Sequence, residues 1–180
     1  QFVAFSTVRS ALDHALRGSA EDAAAIAQRY SDGFISVAEF EREMQELIKS
    51  TQISSVAVAA GGFDSMTQRH VDLLQERLTS QFGYMSDWAD DLASGARGSS
   101  KQMAARARMY VKSARASFSD VYGADQTLRG LTQEQNILGN AEHCAGCLAQ
   151  TARGWQPIGS LIPIGQRDCL TNCECLIDYR

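Results

Sequence analysis

The sequence predicts a mainly α protein: an extended helical body of about five or six helices over residues 1–138, leading into a small cysteine-rich C-terminal module with short β segments over residues 139–180. Three observations carry this expectation. Residues 1–138 hold no proline and are rich in alanine and long-chain residues, which removes the strongest helix breaker and favours helix by propensity. Apolar residues there recur at intervals of three and four, the spacing that lines one helix face. All five cysteines and both prolines fall after residue 143.

A first helix is expected from Ser6 or Thr7 to near Gly18, and a second from Ser19 to Ser31, with Glu21 and Asp22 in its first turn favouring the dipole. Asp32-Gly33 turns the chain. Ser36-x-x-Glu39 reads as a capping box that opens a third helix, with Val37, Phe40, Met44, Leu47 and Ile48 on one face, running toward Gly61-Gly62 and subject to fraying or a kink over Ser50 to Ser55. A fourth helix should start near Asp64 or Ser65 and place Val71, Leu74, Leu78, Phe82, Met85, Trp88 and Leu92 on its apolar stripe, with Gly83 a weak point. The fifth, Ser100 to Tyr122, buries Met103, Ala107, Tyr110, Val111, Ala114 and Phe118. A short sixth helix, 126–138, precedes the tail.

The net charge of -4 is unevenly spread, with 7 Lys/Arg against 14 Asp/Glu in residues 1–95 and 10 against 7 in residues 96–180. The two portions therefore face different neighbours. No apolar run approaches the roughly 20 residues of a membrane span, so the chain reads as soluble and without a membrane partner. No secretory leader is read at the start, where the apolar stretch is soon broken by Arg9 and Asp13; the missing initiator Met leaves a trimmed or processed start open.

Two patterns imitate functional motifs. Asp32-Gly33 with Glu39 resembles half of a calcium loop, but Gln28 and Tyr30 would stand at its first ligand positions, so a helical hairpin explains the letters better. His14 and His70 sit in helical periodicity beside ordinary neighbours, and no phosphate loop, serine elbow or His-Glu-x-x-His pattern occurs. Nor do strands and helices alternate around Cys144-x-x-Cys147 as a thiol redox motif would require. The chain is not expected to be an enzyme.

The chemical signal lies in His143-Cys144-x-x-Cys147 and Cys169-x-x-x-Cys173-x-Cys175. Soft thiolates at such spacings can surround a tetrahedral zinc, which would staple a segment too small to hold itself together by apolar burial. Disulfides and reduced buried thiols remain open for the same sulfurs, although an odd count leaves one thiol over in a disulfide framework. Within the zinc reading Cys144 and Cys147 form a tight knuckle, turned at Gly146, and Cys173 and Cys175 point to one side of an extended segment. The expected ligands are Cys144, Cys147, Cys169 and Cys173, with Cys175 as the substitute; His143 is expected to point away.

The loop with Pro157-Ile158-Gly159 and Pro163-Ile164-Gly165 carries Trp155, Leu161, Ile162 and Ile164. It is expected to cover the cysteines, or else to anchor a neighbouring subunit. Between Asp91 and Asp120 the only charges are basic: Arg97, Lys101, Arg106, Arg108, Lys112 and Arg115. They are candidate partner-binding residues for an acidic protein surface or for DNA phosphate, in a stretch without the interleaved aromatics of a dedicated nucleic-acid surface.

Cys144-x-x-Cys147, Gly154-Trp155, the Pro-Gly loop, Asn172-Cys173-x-Cys175 and the strand-like Leu176-Ile177-Asp178-Tyr179 resemble, in that order, the ends of tailed-phage minor head proteins. Residues 138–180 look like the phage Mu F-like head morphogenesis family, whose members end with a Cys-x-x-Cys pair and a later Asn-Cys-x-Cys. The chain departs from that pattern where a histidine often precedes the second element: Cys169 stands there. The resemblance implies a virion structural protein, a minor capsid, portal or neck component assembled in the host cytoplasm, docked to other virion proteins in several copies at a symmetric position. A tail or baseplate protein and a nucleic-acid-associated zinc module using the basic 97–115 segment are the alternatives.

Overall fold

Leu12, Leu16, Ala20, Ala23, Ala27 and Tyr30 turn one buried stripe along a single helix, α1 (Phe5–Ser31). The computed structural model describes residues 5–96 and 98–180, and in it α1 runs unbroken through Gly18. The expected two helices are therefore one. Gly18 lies on the exposed face with open space where a side chain would stand, so the stripe continues past it and tertiary packing outweighs its weak helix propensity.

Gly33, at a φ of 77°, turns the chain into α2 (Val37–Ala60), which begins with the expected capping box. The Glu39 N–H donates to Ser36 Oγ at 3.2 Å, and the Ser36 N–H donates to the Glu39 carboxylate at 2.8 Å. That helix shows no break over Ser50 to Ser55: the hydroxyls of Ser50 and Thr51 fold back onto the Leu47 carbonyl, a contact that tends to bend a helix, but buried Thr51, Gln52, Ser55 and Val56 hold the backbone against its neighbours. Residues 63–65 form a 3-10 turn, so α3 (Gln68–Ala93) starts later than expected, at a Thr67 cap. On its stripe Leu74, Met85, Trp88 and Leu92 are buried, whereas Val71 faces out, 42% exposed.

The expected fifth helix is two: α4 (Ser100–Lys112) and α5 (Ala114–Leu128), divided at Ser113. Ser113 Oγ donates to the Tyr110 carbonyl and accepts from Gln52 Nε2 at 3.0 Å, a side-chain competition that interrupts helical regularity. No helix spans 126–138. Gly130, at a φ of 85°, ends the turn after α5, and Gln133–Ile137 forms strand β1. Helix α6 (Ala145–Ala152), strand β2 (Gln156–Pro157) and strand β3 (Leu176–Tyr179) complete the chain. The sheet is antiparallel in the order β2-β1-β3, with Asn136 opposite Ile177 and Glu134 opposite both Tyr179 and Gln156.

Two apolar cores fill the helical body. Around Trp88, Phe40 packs edge-on at 5.0 Å and Tyr110 stacks at 5.5 Å, joining α2, α3 and α4, while Arg106 lies over the indole. Leu12, Leu16, Val56, Leu74, Phe118 and Val121 form the second core, and Leu176 of β3 enters it. Burial of each such large side chain contributes about 1.5–3 kcal/mol. The C-terminal sheet is thus packed onto the helices by its own strand. Among the described residues no helix is long and apolar enough to cross a membrane.

Candidate metal centre

Cys144 caps α6, and its sulfur accepts the Cys147 N–H at 3.4 Å, so one helical turn brings this pair together. Cys169 and Cys173 flank a 3-10 turn over Leu170–Asn172, and Cys175 immediately precedes β3. All five sulfurs are free thiols in one cluster with Leu161, Ile164 and Ile177, three of them buried. Cys147 Sγ lies 3.5 Å from Cys169 Sγ and 3.6 Å from Cys173 Sγ. A tetrahedral site with metal–sulfur bonds of about 2.3 Å has sulfurs about 3.8 Å apart, close to these separations, whereas a disulfide needs about 2.0 Å. The clustered cysteines can therefore hold a metal ion.

The grouping differs from one four-cysteine set. Among the described residues, Cys144, Cys147 and Cys169 form one triad with all sulfurs within 4.8 Å of one another, and Cys147, Cys173 and Cys175 form another. All four expected ligands belong to these triads, and Cys175 joins them as a full member. His143 sits closer than expected, with Nδ1 3.8 Å from Cys175 Sγ and Nε2 3.1 Å from the Gly139 carbonyl. If Nε2 carries the proton toward that carbonyl, Nδ1 presents its lone pair toward the sulfur. Adjacency to a cysteine in sequence conceals such placement.

Local hydrogen bonds bias the thiols. The hydrogen bond from Cys173 pulls Cys175 below its ordinary value, and the same contact, followed by burial, pushes Cys173 up. Burial raises Cys147, while the backbone N–H of Cys147 lowers Cys144. One sulfur of each triad is thus held toward thiolate, the form that binds metal.

The surrounding shell is polar and largely invisible in the sequence pattern. Arg167 is only 3% exposed, its Nε donates to the Ile162 carbonyl at 2.9 Å, and its Nη1 donates to Asn136 Oδ1 at 2.6 Å and lies 4.0 Å from Cys147 Sγ. Asn136 Nδ2 in turn donates to Thr151 Oγ1 at 2.6 Å, and buried Glu134 accepts the Leu161 N–H at 2.8 Å. Of the apolar loop, Leu161 and Ile164 cover the sulfurs, Ile162 is 44% exposed, and Trp155 carries the Arg180 guanidinium at 4.5 Å.

The basic residues are dispersed by comparison. Arg108, Lys112 and Arg115 line a cavity of about 550 Å³ with Arg9 and Arg17 of α1, but Asp13, Glu21 and Glu174 share it. Arg115 is 6% exposed and donates to Asp13 at 2.6 Å, so it serves as an internal tie between α5 and α1 and does not belong to an open cationic face. Lys112 donates to Asn172 at 3.3 Å, and Arg106 lies 3.9 Å from Asp91. Lys101 and Arg108 are exposed; Arg97 lies outside the described residues.

Fold and site together define a helical protein with a small sheet-and-thiol module at its C-terminus. No family model, curated protein or solved structure matches the chain.

Proposed function

We propose that this chain is a bacteriophage virion structural protein, a minor capsid, portal or neck component, that docks to other virion proteins through its helices and carries a zinc-stapled C-terminal module. The role is architectural and not catalytic. The placement in a virion is supported by the order of cysteine, tryptophan and Pro-Gly elements that resembles the phage Mu F-like family. Zinc is supported by the sulfur separations near a tetrahedral edge and, above all, by Arg167. A buried guanidinium is costly without an anion, and among the described residues no carboxylate pairs with it. Thiolates in the cluster supply that negative charge, and a bound metal ion holds several sulfurs in that form at once; neutral thiols or disulfides supply none.

The test is localisation in assembled particles. Cryo-EM and peptide mass spectrometry of purified virions should find the chain in several copies at one symmetric position, and its absence from intact particles would remove the reading. A nucleic-acid module draws less support, because Arg106, Lys112 and Arg115 already have partners within the fold.

A further inference from the structure

We propose that the five cysteines bind two divalent ions of the zinc type, bridged by the Cys147 thiolate; this inference rests on the metal reading above. One ion takes Cys144, Cys147 and Cys169, and the other takes Cys147, Cys173 and Cys175. A single tetrahedral ion needs four sulfurs that are all mutual neighbours. Among the described residues the sulfurs instead form two triangles with one shared corner, each with edges within 4.8 Å. Cys147 is that corner, buried between Cys169 at 3.5 Å and Cys173 at 3.6 Å.

Charge favours the same assignment. Two dications and five thiolates sum to one negative charge, and one buried cation, Arg167, lies against the bridging sulfur with its Nη2 left without a partner. A four-thiolate single-ion site would carry two negative charges and leave the fifth cysteine unused in an apolar pocket. A further polar group lies beside each triad without joining it. His143 approaches Cys175 with Nδ1, its other nitrogen facing the Gly139 carbonyl. The Asp168 carboxylate accepts the N–H of Gly146, between Cys144 and Cys147, at 3.2 Å. Neither group lies within 4.8 Å of all three sulfurs of a triad, so a neutral water completes each four-coordinate ion and the charge stays at one negative.

The full chain, purified with zinc and exchanged into cadmium-113, should bind two equivalents and give two cadmium resonances split by mutual coupling through the shared sulfur. Native mass spectrometry should show two zinc ions on the wild-type chain and one on Cys175→Ser. One equivalent, or two resonances without mutual coupling, would overturn the shared-sulfur site while leaving a metal-stapled module intact. No bound metal at all would reject the zinc reading itself. If Cys175→Ser does not fold, the wild-type stoichiometry and coupling decide the matter alone.

Discussion

Arg167 concentrates the energetics of the C-terminal module in one side chain. Its guanidinium satisfies Asn136 and the Ile162 carbonyl and faces Cys147. Replacing it with methionine keeps the bulk but removes the charged hydrogen bonds, so Arg167→Met should destabilise the chain by about 3 kcal/mol in chemical denaturation. If Arg167 offsets thiolate charge, the variant should also release metal to a competing chelator more readily; unchanged retention would leave it a purely structural tie. The pH response has a definite sign. Cys144 and Cys175 lie below the ordinary thiol value of 9.0, so their stabilising contribution is complete above that value and is lost as pH falls through the lowered ones. Thermal melts on acidification should therefore show a smaller loss in Cys175→Ser than in the wild type. The five sulfurs were legible in the sequence as a cluster, but Arg167, Asn136 and Glu134 were not, because isolated polar residues give no hint that long-range folding will bury them.

At the scale of elements, helices announced themselves wherever local chemistry decides. The Ser36/Glu39 box started α2 where expected, and the apolar stripes of α2 and α3 hold apart from the outward-facing Val71. Gly18 misled because its weak propensity is local while the packing that overrides it is not. Replacing it should help: Gly18→Ala, on an exposed helical site with open space, should raise stability by about 0.5–1 kcal/mol, read as an increased denaturation midpoint. Gly123 behaves oppositely. An added Cβ there would collide with the Tyr179 hydroxyl and ring, so Gly123→Ala should force β3 from α5 and lower stability by about 1–3 kcal/mol. Strand β1 was missed for a related reason. Its buried positions are Glu134 and Asn136, the reverse of an apolar-inward strand, and only pairing with β3 and the hydrogen bonds of the module make them inward residues.

At the scale of the whole molecule, the cysteine module and the helices share structure. Leu176 lies in the core with Leu12 and Phe118, the Tyr179 ring tilts against Tyr122 at 5.8 Å, and Arg9 of α1 donates to the Leu138 carbonyl at 2.6 Å. If the cluster holds metal, its removal should therefore loosen more than the tail, lowering the melting temperature of the chain by about 10 °C on chelation, measured by circular dichroism. The most direct test of the central claim, that the thiol cluster is a metal centre, is the metal content of the chain purified without added zinc. Elemental analysis should find tightly held zinc in stoichiometric amount. A folded chain that carries no metal and shows all five thiols free to alkylation would contradict it.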